Sequence, residues 1–187
     1  MPRDSIVLLG VNHKTTPLEI REKLALSGGY EDPLSKLGAV DGIKEHYLLS
    51  TCNRVEVLYT TEYPAETKEK VLHFLFGNAV PAKDLDKYVY YYESEEAVQH
   101  LFMVSSSLDS MIVGEAQILG QLKEAYRFAS EQKTSGSILN KLLHKAFFAA
   151  KRVRTETQIG ASAVSISYAA VELARKIFGQ LDNKSVM

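Results

Sequence analysis

The chain holds a single cysteine, Cys52, in 187 residues. One thiol excludes an intrachain disulfide and fits a reducing, cytoplasmic compartment. Tryptophan is absent, and neither sign of charge prevails: 22 basic residues stand against 23 acidic ones. The chain as a whole is no polycation, so any nucleic-acid surface must come from local clustering. No apolar run approaches the ~18 residues of a membrane span. Ile6–Val11 is too short and wrongly flanked for a secretory signal. No Gly-x-Gly-x-x-Gly or Walker-type loop occurs, which leaves no recognisable dinucleotide site. The 5 histidines are scattered without metal-ligand spacing. No internal repeat or low-complexity tract stands out.

What is present is ordinary globular material, 45% apolar and 24% charged. That is enough chain for one domain or two small ones with a real core. Residues 5–12 read as a strand. Thr16-Pro17-Leu18-Glu19 predicts a helix start, with Thr16 as N-cap, Pro17 at the first position and Glu19 closing a capping box. That helix should run to about Leu26 and stop at Ser27-Gly28-Gly29. A short helix over 31–39, strands on both sides of Cys52, a helix over 66–76 and a strand at Tyr88–Tyr92 complete a β-α-β-β-α-β order. This order predicts an α+β fold, a ferredoxin-like antiparallel sheet with helices on one face.

After Glu93 the pattern turns helical, beginning at Ser94 as a cap ahead of Glu95 and Glu96. Ile118, Leu122, Ala125 and Ala129 form one apolar stripe; Leu139, Leu143, Ala146, Ala150 and Val153 form a second. Ile166, Ala170, Leu173 and Ile177 form a third. Three such helices imply a helical-bundle subdomain. Asp182–Met187 reads as a turn and the first residues of a strand, as if a further domain began there.

Chemistry concentrates in three places. The first is Leu48–Val57, apolar and β-branched on both sides of Ser50-Thr51-Cys52-Asn53, residues that favour turns. Alternation after the break predicts a half-buried strand. Arg54 would favour a thiolate at Cys52, the nucleophilic form, or clamp a substrate carboxylate with its fork. A lone cysteine is otherwise a small buried hydrophobe. The second is His100, either a hydrogen-bonded helix residue or an acid/base partner for Cys52. The third is Ser105–Gln121, rich in Ser, Asp, Glu and Gln. It either caps and joins helices or forms the wall of a polar pocket. A helix over 138–156 carries Lys141, Lys145, Lys151, Arg152 and Arg154 against Glu156 alone. Such a run is a solvated face or a track for a phosphate backbone.

Four blocks in order, Gly10–Lys23, Ser50–Glu56, Leu108–Gln121 and Ala163–Ala174, resemble glutamyl-tRNA reductase over nearly the whole chain. The resemblance implies conversion of glutamyl-tRNA to glutamate-1-semialdehyde with NADPH, the first step of the five-carbon route to tetrapyrroles. By the same resemblance Cys52 would attack the aminoacyl ester and hold a thioester, with His100 important for activity. Thr51, Asn53, Arg54, Ser110, Glu115, Ala116, Gln117 and Gln121 would line the glutamyl pocket. The division implied is 1–92 as the sheet subdomain with the nucleophile and 93–160 as the helical part completing the pocket. Residues 161–187 would be a helix leading to an NADPH-binding domain that this chain does not contain. A homodimer and a partner aminotransferase for glutamate-1-semialdehyde are also implied, and no membrane. Ser107 stands where the family commonly has glycine, and Ala116 where it commonly has proline. Two other readings remain open: a non-catalytic tRNA-binding domain with a structural cysteine, and a cysteine hydrolase using Cys52 and His100.

Overall fold

The structure, a computed structural model, describes residues 4–26, 28–77, 80, 84–160 and 166–179. The turn expected over 182–187, Ser27 and the start of the fourth block at Ala163 lie outside these residues. The strands are β1 (Ser5–Asn12), β2 (Glu45–Ser50), β3 (Arg54–Thr61) and β4 (Tyr90–Glu93). The helices are α1 (Leu18–Leu24), α2 (Glu31–Gly38), α3 (Pro64–Phe76), α4 (Leu85–Tyr88), α5 (Ser94–Ser105), α6 (Gln117–Glu131), α7 (Ser137–Glu156) and α8 (Ile166–Phe178). The four strands pair antiparallel in the order β2-β3-β1-β4, the ferredoxin-like order that the sequence pattern implied.

Both faces of the sheet are covered, not one as expected. Val7, Leu9, Val11, Leu48, Val55, Val57 and Tyr59 pack with Leu24, Leu34, Leu37, Val71 and Phe76 from α1, α2 and α3. Leu8, Tyr47, Leu49 and Leu58 pack with Leu101, Leu122 and Leu143 from α5, α6 and α7. The reason lies in the strands themselves. Consecutive apolar residues such as Val7-Leu8-Leu9 and Tyr47-Leu48-Leu49 put hydrocarbon on both faces, and each face needs cover. The stripes foreseen on α6 and α7 are buried, apart from the half-buried Val153, and Phe147 of α7 is buried with them.

Other expectations need correction. Thr16 does not cap α1: Pro17 occupies the N-cap with no side-chain cap bond, and the buried Thr16 hydroxyl donates to the Tyr88 carbonyl instead. The hydroxyl is turned to a distant carbonyl and to Thr15, away from the helix amides that a cap would serve. Helix α1 ends at Leu24, short of Leu26. Ser94 begins α5 rather than capping it, with Glu93 at the N-cap. Tyr88 closes α4, so the last strand starts at Tyr90. Helix α8 does not join the bundle: Val171, Leu173 and Ile177 are exposed. An amphipathic pattern states that a face needs cover, not what supplies it.

The edge of the sheet holds the longest helix. The Glu45 carboxylate on β2 accepts from the Ile138 and Leu139 amides (3.1 and 2.7 Å), two orphan donors at the start of α7. A Cβ on Gly136 would lie 2.5 Å from Glu45 Oε1, so a side chain there would push the carboxylate out of its present position. Beside it, the His46 amide donates to the Thr134 carbonyl and the Thr134 hydroxyl donates back to His46, which closes the exposed edge of β2. No helix among the described residues is long and apolar enough to cross a membrane.

Candidate active site

Thr51, Cys52 and Asn53 form the connection between β2 and β3. The Thr51 hydroxyl accepts from the Asn53 and Arg54 amides (3.2 and 3.1 Å), and the Thr51 amide donates to the Arg54 carbonyl (2.8 Å). These bonds close the loop on itself and push Cys52 to its tip, where it is exposed. Two outside braces fix it. The His13 amide donates to the Asn53 carbonyl, and Arg21 of α1 donates to the Cys52 carbonyl.

The loop forms one side of a narrow cleft of about 30 Å³. Across from Thr51, Cys52, Asn53 and Arg54 stand Ser110, Met111, Glu115, Gln117, Ile118 and Gln121. The cleft therefore gathers eight residues singled out from the sequence: Thr51, Cys52, Asn53, Arg54, Ser110, Glu115, Gln117 and Gln121. Ala116 is not on its wall; it occupies the N-cap of α6. Nor does His100 face it. His100 lines a separate cavity of about 410 Å³ with Lys14, Tyr90, Tyr92, Gln99 and Asp109.

Between the two spaces lies a buried ionic cluster. Arg54 is 2% exposed. Its Nη1 donates to Glu56 Oε1 at 2.6 Å, and its Nη2 donates to the carbonyl of Asp109 and to Asp109 Oδ2. Glu56 Oε1 also accepts from Tyr90 (2.6 Å) and bonds His100 Nε2 (2.8 Å). Lys14 pairs with Asp109 from the other side. Burial alone would raise the Glu56 carboxyl. The Arg54 charge, then the bonds from His100 and Tyr90, outweigh it and hold the group down at about 2. Asp109 is lowered in the same way, with Lys14 and Arg54 overcoming burial. Burial and the charges of Arg54 and Lys14 depress His13.

The sheet register explains how this cluster fits. In one row across the sheet stand Leu49, Glu56, Gly10 and Tyr90, on β2, β3, β1 and β4. Tyr90 must reach over β1 to bond Glu56, and it can because Gly10 has no side chain. A Cβ there would lie 2.6 Å from the Val55 carbonyl oxygen and 2.8 Å from Glu56 Cγ. The imidazole of His100 meanwhile packs against both Tyr90 and Tyr92, with ring centroids 5.1 and 5.0 Å away.

A family model described as the N-terminal domain of glutamyl-tRNAGlu reductase matches residues 9–157. The chain belongs to this family. A glutamyl-tRNA reductase from Desulfotalea psychrophila is 60% identical over 97% of this chain and 43% of its own length. One from Pelobacter propionicus is 53% identical over 98% of this chain and 42% of its own. The solved structure of a glutamyl-tRNA reductase from Methanopyrus kandleri superposes with a TM-score of 0.74 at 33% identity, covering 93% of this chain and 40% of that one. The chain thus spans less than half the length of the glutamyl-tRNA reductases it matches. Ser107, where the resemblance led us to expect glycine, adopts φ 59°, a left-handed conformation that favours glycine. Its hydroxyl donates to Ser110 Oγ at 3.1 Å, tying this strained point to the cleft wall.

Reasoning from sequence passed over Glu56, Tyr90 and Lys14, and took Asp109 only as part of the polar block at 105–121. Glu56 had a signal: it lies two residues after Arg54 on a strand, so both side chains share a face. Asp109, 55 residues from Arg54, had none that names its partner.

Proposed function

We propose that this chain is the part of a glutamyl-tRNA reductase that takes glutamate from its RNA carrier. In this reading the Cys52 thiolate attacks the ester carbonyl carbon. The bond from that carbon to the ribose oxygen breaks, the ribose oxygen takes up a proton, and glutamate remains as a thioester. The observation that carries the reading is the exposed Cys52, held at a loop tip in one cleft with Arg54, Ser110, Glu115, Gln117 and Gln121. These residues offer both signs of charge and neutral amides, as a zwitterionic amino acid requires.

Arg54 is assigned to the side-chain carboxylate of glutamate. Its charge is already offset by Glu56 and Asp109, so the substrate would share a compensated guanidinium and use N–H groups those partners leave over. Thr51 shapes the loop. Met111, half exposed on the opposite wall, is a flexible side chain that can give way as the cleft fills. His100 is assigned proton handling from the adjoining cavity, with its ring held by Glu56.

Hydride is supplied by NADPH in this reading, for which these residues offer no pyrophosphate-binding loop. The cofactor is therefore assigned to residues outside this chain, and no reductive step is derived from it. The same reading brings a homodimer, delivery of the aldehyde to an aminotransferase and a place in the cytoplasm.

Single-turnover incubation with labelled glutamyl-tRNA tests the proposal. A glutamyl adduct on Cys52, detected by mass spectrometry and absent in Cys52→Ser, is the expected outcome. An unmodified Cys52 after full deacylation would favour a hydrolase, and intact glutamyl-tRNA would favour a binding domain.

A further inference from the structure

Helix α7 divides its residues sharply. Leu139, Leu143, Ala146 and Ala150 are buried. On the opposite side, at helical spacing, Lys141, Lys145, Phe148, Lys151 and Arg152 are all exposed. Phe148 is 64% exposed, the highest value among the large hydrophobic side chains of the described residues. Elsewhere on the surface Lys36, Lys44, Lys70 and Lys87 hold carboxylates, while the scattered Lys23, Lys123 and Lys133 do not. On this helix only Arg152 does, through Glu156. Lys141, Lys145 and Lys151 have no carboxylate partner among the described residues.

We infer that this face of α7 is the track along which the RNA lies, its lysines on phosphates and Phe148 under an unpaired base. The inference rests on the reading of the substrate as an aminoacyl ester of RNA. Three arguments favour RNA over a protein partner. Lysine is depleted at protein–protein interfaces, whereas lysines around an isolated aromatic are what single-stranded RNA uses. From Lys141 to Arg152 the strip runs about 16 Å along the helix, a length suited to several phosphates. The helix that carries the strip also borders the site: on its inner side, opposite the lysines, Ala150 and Arg154 share a small cavity with Glu115, and Glu115 lies on the wall of the Cys52 cleft.

Two variants of the full chain separate the roles: the triple Lys141→Gln, Lys145→Gln, Lys151→Gln, and Phe148→Ser. Both sit on the surface, and circular dichroism melts check that they fold. Binding of tRNA is measured by fluorescence anisotropy across salt concentrations, and acylation of Cys52 with an RNA-free glutamate ester. The triple variant should bind roughly tenfold or more weaker, with a salt slope lower by about 2, since each phosphate contact contributes about 0.7–0.9. Phe148→Ser should bind roughly tenfold weaker with its slope unchanged. Both should acylate from the small ester like the parent. Unchanged RNA affinity in both variants overturns the inference, and so does an altered self-association with RNA binding intact. If the parent never acylates but its RNA binding responds as described, the track stands and the catalytic reading falls.

Discussion

Strand β3 presents two different materials to its two sides. Val55, Val57 and Tyr59 face α1, α2 and α3 across hydrocarbon, and the Tyr59 hydroxyl is buried there with no partner. Arg54 and Glu56 face the other way, and Glu56 takes bonds from Arg54, His100 and Tyr90 at once. The dry side tolerates an unmet polar atom because it is only one. On the ionic side each buried charge has several partners, as it needs to stay ionised. Such a cluster specifies geometry, since removing any member strands the rest.

The contrast can be broken experimentally, and the largest effect should come from Glu56→Ala. It leaves Arg54 buried with one anion fewer, and the expected loss is about 4 kcal/mol in chemical denaturation. Leu9→Ala on the dry side should cost about 3 kcal/mol, a cavity and its lost contacts. A larger loss at Leu9 than at Glu56 would reverse the ranking of the two faces.

Acid offers a second lever. The folded pKa of Glu56 is about 2 against an ordinary 4.5, so the folded state releases this proton more readily than the unfolded one. Its contribution is fully present above about 4.5 and drains away as pH falls towards 2. Melting temperatures between pH 5 and pH 2 should therefore drop, and Glu56→Gln should flatten part of that slope. The smallest effects should come from two tyrosines. Tyr90→Phe removes a donor to Glu56 and should cost about 1–2 kcal/mol, whereas Tyr59→Phe should cost nothing or stabilise slightly, because its hydroxyl bonds to nothing. Equal losses at both would mean that the two faces do not differ in this way.

Much of this was legible in the sequence, and the gaps have physical causes. The strand order and the stripes of α6 and α7 follow from periodicity, which is local. The cover on both sheet faces was also written there, in the unbroken apolar runs of β1 and β2. The cap at Thr16 was misread because its acceptor is Tyr88, 72 residues away. Cys52, Arg54 and the polar block at 105–121 were marked by the residues themselves, whereas the individual wall residues were named through resemblance. The occupation of Arg54 by Asp109, and the separation of His100 from the cleft, depend on how α5 and the loop after it lie on the sheet. No periodicity reports that.

Glu45 lies at the far end of the sheet from the chemistry, yet it grips the first turn of a helix roughly 30 Å long. A small rotation at that grip is multiplied along the rod. Swapping Glu45 for glutamine would loosen the fulcrum without altering a single lysine, and would re-aim the outer face of the helix relative to Cys52. Gly136 belongs to the same mounting, since a side chain there would press on the Glu45 carboxylate.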